Sequence, residues 1–404
     1  MKLRRFIMNK QSILTLVFLA LASGCIPVKE KETLQSVSAN SASTPVSSVA
    51  CPILIGVAGP RTGPQAKSGM DLDLGTQMAV AEWNEKGGAL GCQVERIMKD
   101  DRSEETEARS VAQSLISDGV VGVVGHFNSG VTYPASEAYA EAFIPMITPA
   151  STNPNITDRA LREGWTTVFR LCGRDDDQGP VAANFALERG MNRIAIFHDK
   201  TAYGEGLAQA FQDQAALNGG EIVHFTGFAK EDTDFRPHFT PILNEEIDVV
   251  FFGGIFNQAG PMVRQMREMG ITAAFMSGDG TIYQEFIDMA GEDAEGALLT
   301  FPNVYSSQEA LAFKADYESR FSDQGITEAG PYAIYSYVAT NMLLDAIVAA
   351  NTTEGLAMSR ALRALTHSTP LGSVQFNEKG DVNESLYVIW VVKDGAFVPW
   401  DESH

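Results

Sequence analysis

Four residues of the chain are of types, and in places, that could hold a small polar ligand: Ser129, Thr152, Tyr203 and Asp279, each in a loop that follows an apolar run. Ser129 and Thr152 lie in short loops between a strand pattern and a helix pattern. There, free backbone N–H groups and the helix dipole attract a carboxylate, and a hydroxyl adds a donor. By type alone, each is equally a helix cap. Asp279 closes the stretch Met276-Ser277-Gly278-Asp279-Gly280, where glycines let another backbone come close, and it reads just as well as a turn aspartate. Tyr203, before Gly204, is a contact or a packing residue.

Catalytic signatures are missing from the sequence. The first strand pattern is followed by Gly56-Val57-Ala58-Gly59-Pro60-Arg61, which breaks the dinucleotide-binding fingerprint. Residues 125–130 have the spacing of a phosphate-binding loop, but they are followed by Val131 and Thr132, so the phosphate Lys is missing. There is no GxSxG and no HExxH, and the 6 His are scattered singly, so neither a metal nor a cofactor is expected. His126 and His198, at strand ends, read as loop scaffolding.

The elements that must position these residues form a repeating series. Apolar β-rich runs at 53–57, 94–98, 120–124 and 145–148 alternate with helical patterns, and a second series runs at 194–197, 221–225 and 249–252. This predicts an α/β fold of two doubly wound parallel-sheet lobes. Ligands in such sheets bind outside the carboxyl ends of the strands, and two of the four loops belong to each half. A ligand touching all four would lie between the halves. The tail mixes a helix, 332–350, with a hairpin-like pair, 374–377 and 386–393, around the turn 378–381.

The N-terminus reads as an address. Lys2, Arg4, Arg5 and Lys10 precede an apolar stretch too short to span a bilayer, and small residues Ala22, Ser23 and Gly24 precede Cys25. This resembles the bacterial lipobox, in which the Cys is lipidated and the chain is cut before it. Residues 1–24 are therefore expected to be a signal peptide, with Met1 or Met8 as its start. Residues 25–50, rich in Ser, Thr and Ala, are expected to be a flexible tether. No later stretch reads as a membrane span, so attachment is expected through lipid only. Without residues 1–24 the chain carries 26 basic against 51 acidic side chains, a net charge of −25, which argues against nucleic acid. Were the runs at 52–57 and 93–98 neighbouring parallel strands, Cys51 and Cys92 would both stand at strand starts. We pair those two and leave Cys172 free.

Several spaced segments carry a family resemblance. Gly125-His126-Phe127-Asn128-Ser129, Ile147-Thr148-Pro149-Ala150-Ser151-Thr152-Asn153-Pro154, His198-Asp199-Lys200-Thr201-Ala202-Tyr203-Gly204-Glu205-Gly206 and Asn377-Glu378-Lys379-Gly380-Asp381 are similar to segments of the leucine/isoleucine/valine-binding proteins of ABC transporters, in the same order. The resemblance implies a type I periplasmic binding protein whose lobes are joined by three crossovers. It places lobe 1 at 51–172 and 303–372 and lobe 2 at 173–302 and 373–404. It also implies that Ser129 and Thr152, with backbone groups of Ala150 and Ser151, hold the ligand carboxylate. Tyr203 is implied as an aromatic lid, and Asp279, where those relatives have Glu, as the partner of the ammonium. Ser68 and Ile255 replace aromatic residues, and Phe127 is bulkier than the family residue.

The expectation is an exported, monomeric amino-acid receptor, periplasmic or on the cell surface, that serves an ABC permease without catalysis. A sensory receptor or an amide or urea binder on the same fold is the alternative within binding proteins. An exported α/β enzyme is the alternative of another class.

Overall fold

The apolar run ILIGVAG forms β1 (Ile53–Gly59), buried at all but one position, as a strand covered by helices on both faces must be. The computed structural model describes residues 49–383 and 386–401. The expected signal segment, Cys25 and the tether up to residue 48 lie outside them.

Beside β1 lie β2 (Val94–Asp100), β3 (Gly122–Gly125), β4 (Met146–Thr148) and β5 (Val168–Arg170), in the spatial order β2-β1-β3-β4-β5 and all parallel. Ile53 stands opposite Val94. Cys51 and Cys92, each two residues before its strand, are thereby brought to a Cα separation of 5.3 Å and are joined as a disulfide. Cys172 is free and buried.

The second sheet has the order β14-β13-β10-β9-β8-β6-β7. It comprises β6 (Arg193–His198), β7 (Glu221–Gly227), β8 (Val249–Gly253), β9 (Ala274–Ser277) and β10 (Leu298–Pro302), all parallel, with β13 (Tyr387–Lys393) and β14 (Ala396–Pro399) added antiparallel at one edge. In the chain between β10 and β13 a small antiparallel pair, β11 (His367–Thr369) and β12 (Gly372–Val374), forms a sheet of its own.

Two expectations are corrected here. Residues 374–377 do not pair with 386–393 as a hairpin: β12 pairs with β11, and β13 runs beside β10. The turn at 378–381 is real but local, since Asn377 N–H donates to Asp381 O and a single bridge joins Phe376 to Val382. The helix Ala333–Ala350 does have the length and apolarity of a membrane span, contrary to the reading of the sequence, yet 67% of it is buried within the fold.

That helix returns to the first sheet and packs across the helix Ala66–Glu85. Trp83 Nε1 donates to Asn341 Oδ1 at 2.8 Å, and Ser336 Oγ donates to Asp71 O at 3.0 Å. Gly75 sits at the crossing. A Cβ there would lie 2.1 Å from Ser336 Oγ and 2.3 Å from Ala333 O, so only glycine allows the approach.

Candidate ligand-binding site

The strand order reverses between β1 and β3 in the first sheet and between β6 and β8 in the second. Crevices of doubly wound sheets open at such points, and the loops after β3 and β6 carry Ser129 and Tyr203.

On the first body, β3 ends at Gly125, whose φ is +140° and where a Cβ would meet Ala58 O at 2.3 Å. The chain then buries His126, with Nδ1 2.7 Å from Asp101 Oδ2 and Nε2 3.1 Å from Tyr139 OH. This anchor fixes the loop's carbonyls. His126 O accepts from Thr148 Oγ1 at 2.8 Å, and Phe127 O accepts from Ser151 Oγ at 2.9 Å.

The six residues expected to bind ligand fall into two groups. Ser151 Oγ also bonds Thr132 Oγ1 at 2.6 Å, so its hydroxyl is spent on the loop. The N–H groups of Ala150 and Ser151 turn to Thr148 Oγ1 at 3.4 and 3.0 Å. Both residues therefore also serve as scaffold for this loop. Ser129, the first residue of the helix Ser129–Glu141, accepts from Asn153 N at 3.3 Å. Thr152 Oγ1 is buried and lies beside the Asp175 carboxyl.

On the second body, Asp199 accepts from Thr201 N and Thr201 Oγ1 at 2.9 and 2.7 Å, and Thr201 Oγ1 accepts from Gly204 N at 3.0 Å. Burial pushes the Asp199 carboxyl up to about 6. This double cap starts the helix Ala202–Leu217 and orients Tyr203, whose OH donates to Asp279 Oδ1 at 2.8 Å and accepts from Gly280 N at 2.9 Å. Tyr203 thus orients Asp279. Tyr332 OH donates to Asp279 Oδ2 at 2.5 Å from the other body. Burial raises the Asp279 carboxyl, and the hydroxyls of Tyr332 and Tyr203 pull it back down.

Sequence reasoning missed several participants. Arg170, fully buried at the end of β5, donates from Nη1 to both Ser151 O and Asn153 O at 3.3 and 2.8 Å, on either side of Thr152. Its Nε and Nη2 meet Asp381 Oδ1 at 2.9 and 2.6 Å, while Arg174 meets Asp381 Oδ2 at 2.8 Å. The segment 377–381 had been noticed as a motif without a role. Asp175 is buried, with the Thr152 hydroxyl beside its carboxyl. Burial, then the charge of Asp279, pushes its carboxyl well above the usual range. It also lines a depression of about 450 Å³ together with Asn153 and Gly206.

The two bodies meet at these loops. Asn153 Nδ2 donates to Ala202 O at 2.5 Å, which sets the neighbour of Thr152 against the neighbour of Tyr203. Cys172, free and buried, has its thiol pushed well above its ordinary value by burial, so it is not a thiolate at neutral pH. Among the described residues no group of three His, Cys, Asp or Glu side chains is placed to hold a metal ion.

Two α/β bodies with hydroxyls on one wall of a cleft and a carboxylate on the other define a two-lobed substrate-binding protein. The sequence profile of the periplasmic binding protein family matches residues 52–396. The chain is 36% identical over 347 residues to Leu/Ile/Val-binding protein homolog 1 of Brucella suis, covering 85% of this chain and 91% of that one. It is 37% identical over 345 residues to an amino acid binding protein of Pseudomonas aeruginosa, covering 84% and 89%. The crystal structure of the leucine-binding protein LivK of Thermotoga maritima superposes with a TM-score of 0.78 at 29% identity, covering 86% of this chain and 98% of that chain. The chain belongs to the type I periplasmic binding protein family and resembles its branched-chain amino-acid-binding members.

Proposed function

We propose that the protein is the extracytoplasmic receptor of an ABC importer and closes around a small α-amino acid. In this reading residues 51–172 and 303–372 form one lobe and 173–302 and 373–404 the other. Ser129 and Thr152 donate to the ligand carboxylate, and Asp279, oriented by Tyr203 and Tyr332, takes the ammonium. Asp279 has a shorter reach than the Glu expected by resemblance, and its two tyrosines compensate by fixing where the carboxylate points. A zwitterion that touches both walls stabilises the closed arrangement because only that arrangement satisfies both its ends.

The observation that carries the reading is the Asn153–Ala202 hydrogen bond, which joins the Thr152 loop to the Tyr203 helix across the two bodies. The names of the relatives, which are amino-acid binders, agree with it. Lipidation at Cys25, a monomeric state and delivery to a membrane permease complete the proposal.

Thermal unfolding with each of the common amino acids tests it. At a concentration 100 times the dissociation constant, a ligand that binds only the folded state adds about 2.7 kcal/mol of stability, and its melting shift identifies it. Recovery of that amino acid unaltered after incubation separates a receptor from an enzyme. If no amino acid shifts the melt, the reading is wrong.

A further inference from the structure

The loops around the proposed site bury more carboxyl groups than one ammonium engages. Asp71, Asp175 and Asp279 are buried, and among the described residues none of the three forms an ion pair with a Lys, Arg or His. Among the other buried carboxylates, Asp73 has Arg61 and Arg96, Asp101 has His126, and Asp381 has Arg170 and Arg174, while Asp199 is held by Thr201 N and Oγ1 instead. A neutral amino-acid zwitterion adds no net charge to the cleft. Its ammonium meets one carboxylate, and its own carboxylate brings another.

Asp71 is the one of the three farthest from the proposed head-group contacts along the chain of side-chain neighbours. It stands one helical turn after Ser68, whose buried Oγ lies beside Tyr283 OH. Its carboxylate accepts from Tyr283 OH, on the opposite body, at 3.3 Å. It also lies against Gly330, where a Cβ would come within 2.0 Å of one oxygen and 2.1 Å of the other. The Tyr283 ring packs 6.2 Å from the Tyr332 ring and 4.7 Å from Phe256, and Tyr332 is the residue that holds Asp279. One aromatic wall thus runs from Asp279 at one end to Asp71 at the other.

We propose that the ligand carries a second cation, which lies along this wall and is received by Asp71: a basic α-amino acid rather than an aliphatic one. This rests on the amino-acid reading above and narrows it. A buried carboxylate and the faces of tyrosine rings both attract a desolvated cation. Lys67, one turn before Asp71, and Glu285 act on Asp71 from a distance with opposite signs, and burial pushes its carboxyl up to about 7. A ligand cation in contact would restore its charge.

Calorimetric titration of the purified protein with two matched pairs tests this: L-lysine against L-norleucine, and L-arginine against L-citrulline. Each pair differs by a terminal positive charge. At least one cationic member should bind about tenfold tighter than its neutral partner, one such factor corresponding to roughly 1.4 kcal/mol. Asp71→Asn should bring that ratio towards one, and because a ratio within one variant is read, partial misfolding does not imitate the result. If norleucine and citrulline bind as tightly as lysine and arginine, the second cation is refuted while the amino-acid reading stands. If 1,5-diaminopentane binds but neither basic amino acid does, the acidic wall stands and the α-amino-acid reading fails. No heat with any cationic probe overturns the inference.

Discussion

At the scale of single residues the account turns on carboxylates out of water. Asp71 illustrates the sign of their effect on stability. Burial raises its pKa from 3.8 to about 7, so between those values the folded state holds a proton the unfolded chain has released. Stability from this group is therefore complete below about pH 4 and is lost as pH rises through 7. Asp71→Asn removes the titration. Without ligand, wild type should lose stability relative to the variant by on the order of 4 kcal/mol from pH 4 to 7, and the difference should then stay flat. Urea unfolding across that range reads it, and a pH-independent difference would mean that Asp71 is not shielded as described. Neither Asp71 nor Tyr332 was legible in the sequence. Asp71 falls in a helix with other acids, and Tyr332 merely opens an apolar helix; their roles come from Tyr283 and Asp279, 212 and 53 residues away. Asp279 and Tyr203 could be singled out because glycines and strand ends mark their loops, but the bond between them could not.

Between elements, two long-range ties hold the first body's loops in place. The disulfide joins the starts of β1 and β2 across 41 residues of sequence, and the loss of that closure in Cys51→Ser should cost about 4 kcal/mol on the chain-entropy account. Guanidinium midpoints of wild type and variant measure it, and equal midpoints would contradict the link. The second tie is the Arg170–Asp381 pair, whose partners are 211 residues apart. Arg170→Met frees the carbonyls of Ser151 and Asn153 and takes one of two cations from Asp381, so it should destabilise the fold by about 3 to 5 kcal/mol. The same variant should weaken ligand binding, because Thr152 lies between the two released carbonyls. A stable Arg170→Met that binds normally would show that the clamp positions nothing. The strands were legible because parallel sheets read as apolar runs, and the cysteine pair followed from strand adjacency. The tail was misread because the local turn at 378–381 gave a strong signal, whereas the partner of β13 is β10, far back in the chain.

For the whole molecule the claim is that one small ligand joins two bodies, with hydroxyls from one and a carboxylate from the other. The two-body fold could be read from the alternation of strands and helices and from the family resemblance. Which carboxyl groups are buried at the site could not, since the excess of 51 acidic over 30 basic residues says nothing about which acids are buried. The most direct test compares wild type and Asp279→Asn by calorimetric titration with the amino acid that gives the largest thermal shift. Removing the charge leaves the ligand ammonium without its anion in a water-poor cleft, so affinity should fall by about 3 to 5 kcal/mol, a hundredfold or more, with the far-ultraviolet circular dichroism unchanged. Equal affinities in the two proteins would contradict the account, for the ammonium would then be held elsewhere.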